Sequence, residues 1–299
     1  MAAELKPHVP TLAQMFVMGC QDTSSTVSEA ALKAVSSFIK EIGTEPEVMG
    51  LQCVLNPMFL VMASCLRNGS EETVIEGLDV IQEACLLEQP LINEHLQVIT
   101  EFILGIIVSE EYDNDLKQTA SQTLMNMIEC RPKLMAKKNL VAPILTTLIE
   151  MIAKQDSAVA GVLFTINPHD GILADESGKD KDDDEEDINR LAQTTIDYMA
   201  IHIPSKHFVE PALSLIAQGM SSFDPQMRKA GCAVLGIIAE GCSDRIRESL
   251  SSILPRLLEL MQDPEYYVRE CACFALGRSL SHYSFRLKNV NTSTPQLRF

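Results

Sequence analysis

The chain has no tryptophan, and aromatic residues fill only 5% of its 299 positions. Its core must therefore come from Leu, Ile, Val, Ala and Met, a composition that favours helices over sheet. Nine cysteines (Cys20, Cys53, Cys65, Cys85, Cys130, Cys232, Cys242, Cys271 and Cys273) are an odd number and never form a Cys-x-x-Cys pair. A reduced, intracellular compartment fits them better than a disulfide framework. Long apolar runs are missing too: the stretch around "FILGIIV" is far short of the ~18 residues of a membrane span. The opening "MAAELKPHVPTLAQMF" lacks the basic flank and apolar core of a cleavable signal. A soluble chain without membrane insertion is expected.

Basic residues are scarce. Lys and Arg number 24 against 41 Asp and Glu, giving a net charge of -17 and a pI near 4.7. That argues against direct nucleic-acid binding through a basic patch and for a basic partner. Much of the excess is local: ten acidic residues and two lysines lie between Asp170 and Asp187, a net of eight negative charges.

Catalytic and metal motifs are missing as well. "GILADESGKD" has six residues between Gly171 and Gly178, and Asp180 follows Lys179 where a phosphate loop needs Ser or Thr. In the acidic run Glu185 stands where a calcium loop needs Gly, and Leu191 where it needs its bidentate Glu. The six histidines form no H-E-x-x-H, Cys271 and Cys273 point to different helix faces, and no G-x-S-x-G elbow occurs. No catalytic residue, metal site or cofactor is expected, and binding rather than enzymatic turnover is the anticipated activity.

What the chain does have is a repeat. "VSEAALKAV", "TVIEGLDVI", "LKQTASQTL", "INRLAQTTI", "MRKAGCAVL" and "VRECACFAL" share one nine-residue frame. Its fifth position is always small (Ala31, Gly77, Ala120, Ala192, Gly231, Ala272) and its ninth always aliphatic (Val35, Ile81, Leu124, Ile196, Leu235, Leu276). Positions separated by four residues share a helical face, so a small residue sits mid-stripe where a neighbouring helix can approach. Upstream of most frames lies another apolar helix with one proline (Pro10, Pro57, Pro143, Pro211, Pro255), which starts or bends it. Only the third copy lacks that proline.

Frames are spaced by 46, 43, 72, 39 and 41 residues, matching HEAT and armadillo arrays except at one step. The long step comes from roughly 29 extra residues between the two helices of the fourth unit, since Pro143 to Ile188 spans 45 residues where Pro57 to Thr73 and Pro211 to Met227 span 16 each. The expected fold is an all-α solenoid of about six HEAT repeats over residues 1–277. A disordered acidic loop (156–187) should interrupt the fourth repeat, and an irregular basic tail (278–299) should follow. "DPQMR" and "DPEYYVR" place Asp224 and Asp263 as N-caps with proline at the first helical position. Arg228 and Arg269 then read as ladder charges between stacked units.

The six-fold frame, the first-helix prolines, the Asp-Pro turns with their arginines and an acidic loop inside a single repeat together resemble the importin-β (karyopherin-β) family. "HLQVITEFIL", "QMRKAGCAVLGIIAEGCSDRIRESL" and "VRECACFALG" are most similar to its importin-four type. The resemblance runs to about Gly277. It implies a nuclear import receptor shuttling between cytoplasm and nucleus, with second helices facing basic cargo such as histones or ribosomal proteins. It also implies first-helix grooves for Phe-Gly nucleoporins and cargo release by the small GTPase Ran. Members are about three times longer, so this chain is expected to be a fragment or short isoform with weak or lost Ran binding. The cargo-binding residues implied are Asp180, Asp182, Asp183, Asp184, Glu185, Glu186 and Asp187. The competing expectation is a HEAT scaffold or regulatory subunit of a multiprotein complex, in which the acidic run is a solvated linker.

Overall fold

A computed structural model describes the backbone of residues 2–42, 46–155 and 183–291, and side chains for 4–42, 46–155 and 190–280. Every regular element among them is helical. The chain divides into two compact units, Met1–Leu140 and Val141–Phe299.

In the first unit a short α1 (Ala2–Leu5) and a 3-10 turn lead into α2 (Val9–Cys20). Then follow α3 (Ser25–Ile42), α4 (Gln52–Asn68), α5 (Glu71–Leu86), α6 (Leu96–Val108), α7 (Asn114–Cys130) and the one-and-a-half-turn α8 (Pro132–Lys137). Each pair α2/α3, α4/α5 and α6/α7 packs together, and the second helices also stack on one another, α3 on α5 and α5 on α7. Periodicity explains why: Val74, Leu78, Ile81 and Cys85 recur on one face of α5, as do Leu116, Ala120, Leu124 and Met127 on α7, and all are buried. Each such Leu or Ile side chain contributes about 1.5–3 kcal/mol by leaving water.

Polar links fix the stacking register. Lys33 pairs with Glu76 at 3.2 Å, the Asp113 N–H donates to Glu71 Oε2 at 3.1 Å, and Gln82 bridges Thr123 and Asn126 at 3.1 and 3.2 Å. Arg131 donates to Asn93 Oδ1 and to the Leu87 carbonyl, tying the end of α7 to the loop before α6. The stretch Pro46–Asn68 is long and apolar enough by composition to cross a membrane, but half of it is buried within the unit. There Val54, Met58, Val61, Met62 and Cys65 form the inner face of α4, which packs on α2 and α5.

The second unit repeats the plan with α9 (Val141–Lys154) and α10 (Asp183–His202), α11 (Ser205–Met220) and α12 (Pro225–Ile238), and α13 (Ser243–Leu260) and α14 (Tyr266–Asn291). Second helices again stack, α10 on α12 and α12 on α14. Pro10 and Pro143 lie in the first turns of α2 and α9, whereas Pro57, Pro211 and Pro255 sit inside α4, α11 and α13. The frame's small residues mark close approaches. A Cβ built on Gly231 would meet the Met220 nitrogen at 2.8 Å and the Ile216 carbonyl at 3.0 Å, and Gly219 lies opposite. Gly77 faces Met62, and Gly19 faces Ala31.

Two expectations need correction. Residues from Arg278 onward are not irregular as far as Asn291, because α14 continues through them. No Gly or Pro interrupts the sequence between Gly277 and Pro295, so nothing local ends the helix earlier. The two Asp-Pro turns are also not equivalent. Asp224 is a true N-cap, accepting from the Gln226 N–H at 2.9 Å, but α14 starts three residues after Asp263. Arg269 explains the delay: its Nη1 takes the Asp263 and Pro264 carbonyls at 2.8 and 2.9 Å, drawing them away from the helix. Arg228 binds the Ser222 and Phe223 carbonyls in the same register, six and five residues upstream, so the arginine rather than the aspartate sets where each helix begins.

Candidate functional site

The acidic insertion joins α9 to α10. Residues 156–182, including Asp180 and Asp182, lie outside the described residues. Asp183, Asp184, Glu185, Glu186 and Asp187 form the backbone start of α10, so the acidic run leads directly into a second helix. At the other end, Lys229 of α12 is 4% exposed and its Nζ donates to the Gln155 carbonyl at 2.6 Å and to the Ala153 carbonyl at 3.5 Å. A buried ammonium on the last carbonyls of α9 complements the negative end of that helix dipole. The Tyr267 ring of α14 lies 6.0 Å from the same nitrogen. The departure point of the insertion is thus held against the second helices of the fifth and sixth pairs.

Further along α10, Asp197 is half-buried. Burial raises its carboxyl above the usual carboxylate range, Glu240 beyond the end of α12 raises it further, and Arg278 of α14 opposes both. Arg278 Nη2 meets Glu240 Oε2 at 3.3 Å, with side chains 23% and 30% exposed. The turn after α12 and helix α14 thus meet through the Arg278–Glu240 pair, and both charges act on Asp197 of α10. Ten residues of helix separate Asp187 from Asp197, about 15 Å of rise. The acidic run and Asp197 lie on one helix.

An acid held above its solution pKa costs stability when ionised, and this cost is relieved as pH falls toward the folded pKa. Asp197→Asn is accordingly expected to leave the midpoint of urea unfolding unchanged or higher at neutral pH, with the difference shrinking in mild acid. A clear loss of stability at neutral pH would show that the carboxylate is a structural anchor instead.

Of the other sequence-singled residues, Gly77, Ala120, Ala192, Gly231 and Ala272 are buried at helix crossings and Ala31 is half-buried. Arg228 and Asp263 form a buried bidentate pair across the fifth and sixth repeats, at 2.8 and 3.0 Å. Arg269 remains within its own turn. Sequence reasoning missed Asp197, Glu240, Arg278 and Lys229. Spacing gave no signal for the pair: Asp197 and Glu240 are 43 residues apart, whereas their frames are 39 apart.

The thiols offer no nucleophile at this site. Burial, then Asp197, pushes Cys242 up to about 11, and burial foremost pushes Cys85 and Cys271 up to about 12. Cys271 is buried and Cys273 exposed, as their spacing on one helix dictates. Among the described residues no group of three His, Cys, Asp or Glu is placed to hold a metal.

Residues 225–278 match the family model described as "HEAT-like repeat", and residues 1–102 match "IPO5-like, TPR repeats". Importin-4 of Mus musculus is 26% identical over 255 residues, covering 83% of this chain and 22% of its own length. Importin subunit beta-3 of Saccharomyces cerevisiae is 22% identical over 282 residues, covering 92% and 24%. The chain thus spans less than a quarter of the length of either relative. Solved structures of Kap121p, alone and bound to RanGTP, align with TM-scores of 0.72 and 0.71 at 20% and 21% identity. They cover 95% and 89% of this chain and 28% and 25% of theirs, which establishes the shared fold. With the repeated frame, its stacked second helices and relatives of one kind along most of its length, the chain is similar to receptors of the importin-β (karyopherin-β) family.

Proposed function

We propose that this chain is a cargo-binding segment of a nuclear import receptor and that its cargo is basic protein, of the histone or ribosomal-protein kind. The observation that carries the reading is the continuity of charge along α10. The acidic run at Asp180 and Asp182–Asp187 passes into the helix that bears Asp197, a carboxyl whose proton affinity Glu240, one repeat away, raises. A polyanion with eight net charges raises encounter rates with a Lys-rich segment, over a Debye length of ~8 Å at physiological salt. The half-buried pair then supplies a fixed, low-dielectric contact for one basic side chain. The activity is binding, without catalysis. The receptor shuttles between cytoplasm and nucleus. Kap121p has been solved with RanGTP and with Nup53p, and this supports Ran and Phe-Gly nucleoporins as partners of the receptor to which the segment corresponds.

The test is association of the chain with a core histone mixture and a Lys-rich peptide across a salt series, beside a version lacking residues 170–187 and one with Asp182–Asp187 replaced by Ser and Asn. Both altered chains should associate about ten-fold more slowly at low salt and show a flatter salt dependence, while keeping their helical content. Equal binding by all three, or none by any, would leave the acidic run a solvated linker and return the chain to the general scaffold reading.

A further inference from the structure

Asp263 reaches back to Arg228 of the fifth repeat instead of capping its own helix, and one other aspartate is built the same way. Asp22 stands five residues before the first frame, as Asp263 stands before the sixth, and α3 and α14 each begin three residues after their aspartate. Each aspartate also accepts the N–H two residues on, from Ser24 at 2.8 Å and from Glu265 at 3.1 Å. Asp22 is exposed, and among the described residues no arginine reaches it.

The sixth repeat carries the other half of such a bond. Arg269 repeats the hold of Arg228 on the carbonyls six and five residues upstream, but its Nε and Nη2, the atoms with which Arg228 grips Asp263, have no partner among the described residues. The rest of the α14 face agrees. Where α14 covers α12, Cys232 is fully buried and a Cβ on Gly236 would meet the Phe274 ring at 2.4 Å, whereas at the same frame positions Cys273 is exposed and Gly277 has nothing within 4 Å. On α3, Val27, Ala30 and Ala34 are exposed, while the matching Val268, Cys271 and Ala275 of α14 are buried. We infer that copies of this chain stack head to tail, Arg269 of one gripping Asp22 of a second copy as Arg228 grips Asp263. Both halves are present in every chain, so a second copy supplies the charge, the register and the small-residue face that the sixth repeat is shaped to receive. The contact is heterologous and continues the stacking of α12 on α14.

A net charge of -17 on each copy opposes association at low salt, so the test is run at physiological salt, where exposed charges more than ~8 Å apart are screened. In sedimentation velocity the mass of the parent chain should rise with concentration above the 33.0 kDa of one copy. Asp22→Arg and Arg269→Asp each place like charges at the contact and should raise the concentration needed by about ten-fold or more. Their equimolar mixture should associate again, because Asp22 of one variant meets Arg269 of the other. A parent chain that keeps one mass over the whole series overturns the inference, and so does association that Asp22→Arg leaves unchanged. A second measurement leaves both charges in place. In the stack of α12 on α14 the tenth frame position meets the seventh and eighth, so the sixth, Cys273, should lie beside the fourth, Ala30, of the second copy. Ala30→Cys should therefore give disulfide-linked chains under oxidised glutathione, and adding Cys273→Ser should abolish them. No linked chains, or linkage that Cys273→Ser leaves intact, would equally overturn the inference.

Discussion

Arg228→Ala should lower the unfolding free energy of the second unit by about 3 kcal/mol, and Asp263→Ala by a similar amount. Each removal strands the opposite charge in a site where the partner side chains are 13% and 6% exposed, and the stranded desolvation is the main cost. The double variant should therefore cost clearly less than the two single losses added together, by about 1 kcal/mol or more. Arg228→Lys should recover little, because an ammonium cannot present two parallel donors to the carboxylate while also reaching the Ser222 and Phe223 carbonyls. Urea unfolding of the full chain, followed by a probe in the second unit, reads all four values. Strict additivity would sink the argument, since it would mean that the two side chains act independently.

The same pair gives the chain an acid limit. The Arg228 hydrogen bonds, foremost, hold Asp263 below the usual carboxylate range; the Glu265 N–H assists and burial opposes. A depressed folded pKa means that the stabilisation is present in full above the unfolded pKa of about 3.9 and is lost as pH falls through the folded value. Stability should thus fall with acid below about pH 4, and in Asp263→Asn that dependence should be visibly reduced. Asp197 titrates with the opposite sign, so the two carboxylates separate in a stability profile against pH.

The helix pairs could be read from sequence because a small residue at the fifth frame position and an aliphatic one at the ninth are direct requirements of a close helix crossing. Ala192 and Ile196 in the fourth copy are both fully buried, although the insertion before them breaks the spacing. The site was less legible for a physical reason. Asp197 lies nine residues into its frame and Glu240 thirteen, one within a helix and the other past a helix end, so no common register relates them. Only the stacking of α10, α12 and α14 brings them together. Asp263 was misread for a related cause: its turn has two more residues before the arginine than the turn at Asp224, and those residues move the carboxylate from capping its own helix to reaching the preceding repeat. Lys229 hides differently, since a lysine in a helix ordinarily reads as a solvated side chain and nothing local announces that its partners are carbonyls more than seventy residues away.

The same chemical change at three glycines should have three different outcomes. Gly105 lies exposed inside α6 with nothing within 4 Å of a built Cβ, so Gly105→Ala should stabilise the first unit by about 0.5–1 kcal/mol through helix propensity alone. Gly77 would place its methyl 2.6–2.8 Å from Met62 atoms, and a methionine chain can change rotamer. There the propensity gain and the repacking cost should nearly cancel, within about 1 kcal/mol of zero. Gly231 has no such freedom. Its methyl would press on the backbone of α11 at the Met220 nitrogen and the Ile216 carbonyl, with Gly219 already completing the opposite wall of the crossing. Helix backbone cannot yield locally, so α11 and α12 must move apart, and Gly231→Ala should cost about 1–3 kcal/mol despite its better helix propensity. Gly231→Val should cost more. Thermal or urea unfolding orders the three alanine variants, and a Gly231→Ala chain as stable as the parent would mean that the small residue at the centre of the frame is not what sets the distance between the two helices of a repeat.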